Sequence, residues 1–370
     1  MTIQPFTIEI PQADLDDLQA RLERTRWPDE LPGVGWDYGV PLDVIKKLVA
    51  YWRSGYDWRK VEAGLNEYPQ FTTDIDGQNI HFLHVRSPEP EALPLIVTHG
   101  WPGSFVEYVD VIGPLTDPRA HGGNPAEAFH LVIPSIPGFT FSGPTHETGW
   151  NSSRIARAWA ELMRRLGYDH YGAAGNDGGS MISPEVGRCD PAHVAGVHVT
   201  QLFSFPSGDP ADLENLSTQE QAAMARLQWF WDTMSAYNKL QSTQPQTLAF
   251  ALLDSPVGQL AWNVQLFRNL DDDFILTNVM LYWLTGTAAS AARFYYEAAH
   301  AKHPPEPTTT PTGLAMFAGD FQSIRRFAER DHKNIVRWTE YDRGGHYAAH
   351  LAPDLLVDDI RAFYRDLRGN

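Results

Sequence analysis

The chain has a single cysteine, Cys189, so no intrachain disulfide can brace it, and that scarcity fits a reducing compartment. No apolar run reaches the roughly 18 residues needed to span a bilayer. The opening Met1-Thr-Ile-Gln-Pro-Phe also lacks a basic segment ahead of an apolar one. Positive charge is scarce as well: the net charge is -17, and Lys and Arg form no run. Phosphate recognition depends on those two residues, so neither nucleic acid nor an anionic membrane is an expected partner. A Gly-x-Ser-x-Gly sequence is missing too, which removes the commonest serine nucleophile presented on a strained turn. What these absences leave is a cytoplasmic protein held by its own core.

That core has ample material. Of 370 residues 43% are hydrophobic, and 12 Trp, 14 Tyr and 18 Phe supply rings for packing or for an apolar pocket. Leu15, Leu18 and Leu22 fall at helical spacing, which predicts a helix over 14–26 with Asp14 as its N-cap. In 27–66, Trp27, Trp36, Trp52 and Trp58 lie among Pro and Gly around a helix-like 41–54. Residues 1–70 therefore read as an arm that buries its rings against the rest of the chain.

From Phe71 the pattern turns to strands. Segments 71–75 and 80–86 flank Asp76-Gly77, a hairpin signal. Short apolar runs follow at 93–98, 130–134, 171–175, 194–200, 314–317 and 335–339, with helical patterns such as 155–166 and 354–367 among them. This predicts an α/β protein with an eight-stranded, mostly parallel sheet. Between strands six and seven lie residues 201–310, aromatic and helix-like, expected to form a cap over the carboxyl edge of the sheet. The core then comprises 71–200 and 311–370, with 304–311, rich in Pro and Thr, as the cap-to-core linker.

The chemistry centres on Tyr171-Gly-Ala-Ala-Gly-Asn-Asp-Gly-Gly-Ser180. Small residues lead into Gly175-Asn-Asp177-Gly-Gly179, and a helix-like stretch follows. Taken alone, Gly-Asn-Asp-Gly-Gly also suits a plain surface turn. Between a strand and a helix it reads as a nucleophile elbow, with glycines two places either side of the central residue where a side chain would clash. The centre is Asp177 in place of Ser. A carboxylate of ordinary pKa near ~4 is already an anion at neutral pH and can attack carbon with no base to activate it.

Two further segments complete the set. His99-Gly-Trp-Pro-Gly-Ser104 follows the 93–98 strand, where a loop can lend one backbone N–H to an oxyanion hole. The residue after the nucleophile lends the other, so the expected donors are Trp101 and Gly178. Arg343-Gly-Gly-His346 follows the last strand and supplies a candidate base, His346. Asp320, just past the 314–317 strand, is the acid expected to hold the imidazole, with Asp331 and Asp342 as substitutes.

With these residues assembled, the chain resembles the α/β-hydrolase-fold epoxide hydrolases, in particular the microsomal and juvenile-hormone branch with an N-terminal arm. The resemblance is carried by His99-Gly-Trp-Pro-Gly103, the Asp177 elbow, Asp254-Ser-Pro-Val-Gly258, Leu276-Thr-Asn-Val-Met-Leu-Tyr-Trp283, Arg293-Phe-Tyr295 and Arg343-Gly-Gly-His346. It implies the α/β-hydrolase fold, Asp177 as nucleophile, His346 as water-activating base and Asp320 as its partner. It also implies two cap tyrosines on the epoxide oxygen, Tyr295 through Arg-Phe-Tyr and Tyr237 through Ser-Ala-Tyr, with Tyr282 and Tyr296 close by. The substrate is then a small-molecule epoxide, opened to a vicinal diol without cofactor or metal. The resemblance spans both detoxifying enzymes and natural-product pathways, enediyne assembly included.

Microsomal relatives carry an N-terminal membrane anchor that this sequence lacks, which implies a soluble form, and a homodimer is a possible assembly. Gly178 stands where the family commonly has Trp, so a pocket widened for a bulky aryl epoxide is expected. Two alternatives stay open. A haloalkane dehalogenase would use the same Asp–His pair, although it needs no cap phenols. A non-catalytic binding protein on this fold would not need the Asp, His and acid set.

Overall fold

The computed structural model describes residues 2–302 and 306–368, so Pro304 and Pro305 of the expected linker lie outside the described residues, as do Gly369 and Asn370. Nine strands form one sheet: β1 (Gln4–Phe6), β2 (Gln70–Ile75), β3 (Gln78–Val85), β4 (Leu93–Thr98), β5 (Phe129–Pro134), β6 (Tyr171–Gly175), β7 (Val194–Val199), β8 (Thr312–Phe317) and β9 (Ile335–Tyr341). Their order is β1-β2-β3-β5-β4-β6-β7-β8-β9. The first three pairings are antiparallel, and every pairing from β5 to β9 is parallel. The expected eight strands are present, and β1 is the addition. It is a three-residue edge strand laid on β2, too short and too polar for its pattern to stand out.

The arm continues with helices α1 (Gln12–Glu23), α2 (Leu42–Ser54) and α3 (Trp58–Leu65). Helix α1 begins two residues before the expected start and is preceded by Pro11, so Asp14 lies in its first turn and is not the cap. Helix α2 buries Ile45, Leu48, Val49 and Trp52, a spacing of three and four that makes one apolar face. That face meets the helical insertion: Trp52 Nε1 lies 3.1 Å from Met280 Sδ, and Tyr51 hydrogen-bonds Asp273.

The core helices are α4 (Val109–Thr116), α5 (Ser152–Arg165) and α6 (Gly178–Cys189). Then α7 (Thr218–Thr233), α8 (Ala236–Thr243), α9 (Pro245–Asp254), α10 (Pro256–Val264), α11 (Asp272–Leu284) and α12 (Ala288–Ala299) fill the connection from β7 to β8. Last come α13 (Arg325–Asp331), α14 (Ala348–Leu351) and α15 (Pro353–Arg368). Strand β6, Tyr-Gly-Ala-Ala-Gly, is buried throughout, and its small residues let helices close in on both faces. From α15, the Tyr364 hydroxyl donates to the carbonyls of Ala173 and Gly196. From α5, Trp159 donates its indole N–H to Thr98 Oγ1 at 3.0 Å.

A histidine joins insertion and core. His350 of α14 reaches Asp110 of α4 at 2.8 Å and Asp271 at the start of α11 at 2.7 Å, stacked on Phe274. No helix among the described residues is long and apolar enough to cross a membrane.

Trp52 is 1% exposed and ties the arm to α11. Trp52→Ala should therefore cost about 3–5 kcal/mol, the usual result of emptying so large a buried site. Denaturant unfolding monitored by far-UV circular dichroism measures it. An unchanged midpoint would mean that the arm is not part of the cooperative fold.

Candidate active site

The parallel strands deliver their site residues to one edge. His99–Trp101 follow β4, Asp177 follows β6, Gln201 follows β7, Asp320 follows β8 and His346 follows β9. This is the carboxyl edge, where open α/β sheets hold their ligands.

The turn at Asp177 is strained, with φ 51° and ψ -116° on a residue with a side chain. Neighbouring backbone comes so close that glycine is required on both sides. A Cβ on Gly179 would overlap the Thr98 carbonyl, and one on Gly100 would overlap Asp177 Oδ1. The carboxylate is pinned in consequence: Trp101 N–H donates to Oδ1 at 3.0 Å, and the Gly178 N–H also bonds the carboxyl group. Both expected oxyanion donors thus already bond the Asp177 carboxylate, Trp101 through Oδ1. The other oxygen, Oδ2, lies 3.7 Å from His346 Nε2.

On its far side His346 holds Asp320, Nδ1 to Oδ1, at 2.9 Å. Of the two substitutes, Asp331 is tied to Arg330, and neither it nor Asp342 bonds the imidazole. Withdrawal from water would by itself lower the His346 pKa. Asp320, by charge and hydrogen bond, and then Asp177 and Glu107, outweigh that and lift it to about 10. This favours the imidazolium over the neutral ring. Burial raises the Asp320 pKa, but the charge of His346 and the hydrogen bonds from His346 and Gln201 bring it below the ordinary carboxylate range. For Asp177 burial prevails: its pKa is raised, although His346 and the two N–H donors pull against the shift.

The two expected tyrosines meet at Trp101, whose N–H holds the nucleophile. Tyr237 of α8 stacks on the Trp101 indole with centroids 5.3 Å apart, and Tyr295 of α12 stands edge-on to both rings. Burial and then the Asp177 charge hold both phenols protonated far above the ordinary range. Neighbouring tyrosines face elsewhere. Tyr296 is exposed and stacked on His300, and the Tyr282 hydroxyl is spent on the Gly103 carbonyl at 2.6 Å.

A Cβ on Gly178 would lie 3.3 Å from the Phe294 ring, so an aromatic side chain of α12 stands against this glycine.

Two buried residues escaped the sequence reading. Glu107 accepts from Asn176 Nδ2 at 2.6 Å with Oε1, while Oε2 is buried without a protein partner among the described residues. Burial pushes its pKa to about 8, against the pull of His346 and Asn176. Gln201 lies directly under the elbow, bonded to both Asp177 and Asp320. Its position just past a strand end was the available signal.

No cluster of His, Cys, Asp and Glu able to hold a metal occurs among the described residues. With Asp, His and acid in line, two N–H donors on the Asp and two phenols above it, the arrangement suits attack on an electrophilic carbon and then hydrolysis of the resulting ester.

Similarity to known proteins agrees with this chemistry. Residues 3–108 match the family described as Epoxide hydrolase N terminus, and residues 94–303 match the one described as alpha/beta hydrolase fold. A protein of Stigmatella aurantiaca bearing an epoxide hydrolase name is 45% identical, the match covering 99% of this chain and 86% of that one. Epoxide hydrolase 1 of Sus scrofa is 35% identical over 98% of this chain and 88% of its own. The solved structure of Aspergillus niger epoxide hydrolase superposes with a TM-score of 0.87 at 32% identity, covering 99% of this chain and 97% of that chain.

The electrostatics predict that His346 stays imidazolium through neutral pH and loses its proton only as pH approaches about 10, because the anions around it favour the charged form. Nitrogen-15 NMR of labelled histidine should show this. Asp320→Asn removes the bonded anion and should bring the midpoint down. A titration near the ordinary histidine value in the unaltered protein would contradict the reading.

Proposed function

The chain belongs to the epoxide hydrolases of the α/β-hydrolase fold and is itself an epoxide hydrolase; from that premise we propose a two-step reaction through an ester on Asp177. The observation that carries it is the division of labour at one carboxylate. Oδ1 is held by the Trp101 N–H, and Oδ2 is turned towards His346 across a gap of 3.7 Å. A serine nucleophile would need a hydrogen bond to its base at roughly 2.6–3.2 Å. A carboxylate needs none, and the gap leaves the imidazole free to act on water.

In the first step Oδ2 attacks an epoxide carbon and the C–O bond opens, while Tyr237 and Tyr295 donate hydrogen bonds to the departing oxygen. Help of this kind is worth roughly 10²–10⁴ in rate. The alkoxide takes a proton through a phenol, and the His346 cation restores it. Ester formation also removes one of the negative charges that hold the His346 proton, so alkylation itself weakens that hold before hydrolysis.

In the second step neutral His346 takes a proton from water as the oxygen adds to the Asp177 carbonyl carbon. Oδ1 becomes the oxyanion, already facing Trp101 and Gly178 N–H, donors of a kind whose removal typically costs about 10²–10³. Collapse releases the diol and regenerates carboxylate and imidazolium, so protons balance over the cycle. The aromatic walls of Trp101, Phe294 and the two tyrosines favour an epoxide with an apolar substituent.

His346→Ala should form the ester and keep it, because alkylation needs no base and hydrolysis does. Intact-protein mass spectrometry should show one substrate mass added, mapping to the peptide with Asp177; full turnover without adduct would overturn the assignment. Tyr237→Phe and Tyr295→Phe should each slow single-turnover alkylation, and the double variant should lose roughly 10²–10⁴. Tyr296→Phe, on the outward face, should be silent. If it is the damaging change instead, the wrong face of α12 has been assigned.

A further inference from the structure

Gln201 is fully buried at the carboxyl end of β7, and every hydrogen-bonding position of its amide is used. Oε1 accepts from the Asp177 backbone N–H at 2.8 Å and from Ser180 Oγ at 2.9 Å. Nε2 donates to Asn176 Oδ1 at 2.7 Å and to Asp320 Oδ2 at 2.5 Å. Two acceptor sites and two donor sites are the whole capacity of a primary amide. Its orientation is set by chemistry: only the oxygen can face a backbone N–H, and only the nitrogen can face an ionised carboxylate.

Asp320 therefore has one oxygen on His346 and the other on Gln201. The nucleophile has its carboxylate on Trp101 and its backbone N–H on the same Gln201. One side chain spans the two loops that must stay in register for water to be activated over the ester carbon.

We propose that Gln201 is a positioning residue for the hydrolytic half of the reaction, clamping the Asp177 elbow to Asp320 and aiming Asp320 at His346 by donating to its second oxygen. The alkylation step asks less of this clamp, since Asp177 attacks without a base. The inference rests on the ester mechanism proposed above. Its effect on pH behaviour involves every titratable group facing the clamp. These are Asp177 and Asp320 themselves, His346 from the loop after β9, Tyr237, Tyr282 and Tyr295 from the cap, Tyr108 and Tyr347 from the core, and Glu107, linked to Gln201 through Asn176.

A near-isosteric carboxyl gives a signature that loss of packing would not. In Gln201→Glu, a protonated Glu can still accept from Asp177 N–H and donate its O–H to Asp320. As pH rises it ionises, repels Asp320 and strengthens the hold of His346 on its proton. Gln201→Met keeps the volume, removes both polar ends and leaves Asp320 with His346 and the Phe321 backbone N–H only.

The experiment is rapid-quench and stopped-flow measurement of ester formation and ester hydrolysis, separately, across pH, for the unaltered protein and both variants, with His346→Ala alongside. In the unaltered protein hydrolysis should rise with pH as His346 loses its proton. In Gln201→Glu it should fall with pH while ester formation is little changed, so that ester accumulates at the alkaline end. In Gln201→Met the acid limb of hydrolysis should move upward, and a shift of one pH unit is about tenfold in rate on that limb.

If hydrolysis in both variants follows the unaltered pH profile, or if neither variant folds by circular dichroism, the positioning role is overturned and Gln201 is structural. His346→Ala separates the two ideas. Ester that accumulates there with unaltered Gln201 profiles removes only this inference, whereas no ester in His346→Ala removes the mechanism on which it rests.

Discussion

Everything at this site depends on the backbone at Asp177 being forced through a left-handed turn with no room to relax. The turn is closed by the Gly179 Cα against the Thr98 carbonyl and by Gly100 against the carboxylate itself. Strain of this type costs on the order of 1–3 kcal/mol and persists only where the surroundings over-determine it. Here the surroundings are two parallel strands in register, Thr98 of β4 beside Gly175 of β6. A buried helix also starts at the very next residue. The same closeness that makes the turn costly delivers the Trp101 N–H to Oδ1, so the oxyanion donors follow from how the strands end.

Around that fixed carboxylate the protein gathers more acid than one imidazole can neutralise. Asp320, Asp177 and Glu107 all act on His346 and favour its cation. A base that begins protonated would be a poor design if the nucleophile needed deprotonation. With a carboxylate nucleophile the cation has two uses before hydrolysis: it stabilises the anion that attacks, and it holds the proton that the opened ring will need. The cap completes the arrangement from above, bringing two phenols that burial and the same negative charge keep protonated.

Much of this was legible in the sequence because the information is local. Gly-Asn-Asp-Gly-Gly between strand and helix, His99-Gly-Trp-Pro and Arg-Gly-Gly-His each encode a turn at a strand end. Strand order then brings Asp177, Trp101, Asp320 and His346 to one edge. Non-local features were hidden. Strand β1 exists because the arm returns to the sheet edge, which three residues cannot announce. Helix α1 starts after Pro11 with no side-chain cap, so a rule based on Asp14 misplaced it. The ring set against Gly178 is Phe294, more than a hundred residues away, and no local motif announces it. Gln201 and Glu107 look in sequence like ordinary polar residues beside apolar runs, and only their burial beneath the elbow marks them.

The claim on which the rest turns is that the oxygen entering the diol comes from Asp177 and not directly from water. A single turnover with enzyme in excess over epoxide, run in oxygen-18 water, tests it without any substitution. The account predicts unlabelled diol from that first turnover and oxygen-18 in the peptide that contains Asp177. Labelled diol in the first turnover, with Asp177 unlabelled, would contradict it and make the carboxylate a base for direct attack by water.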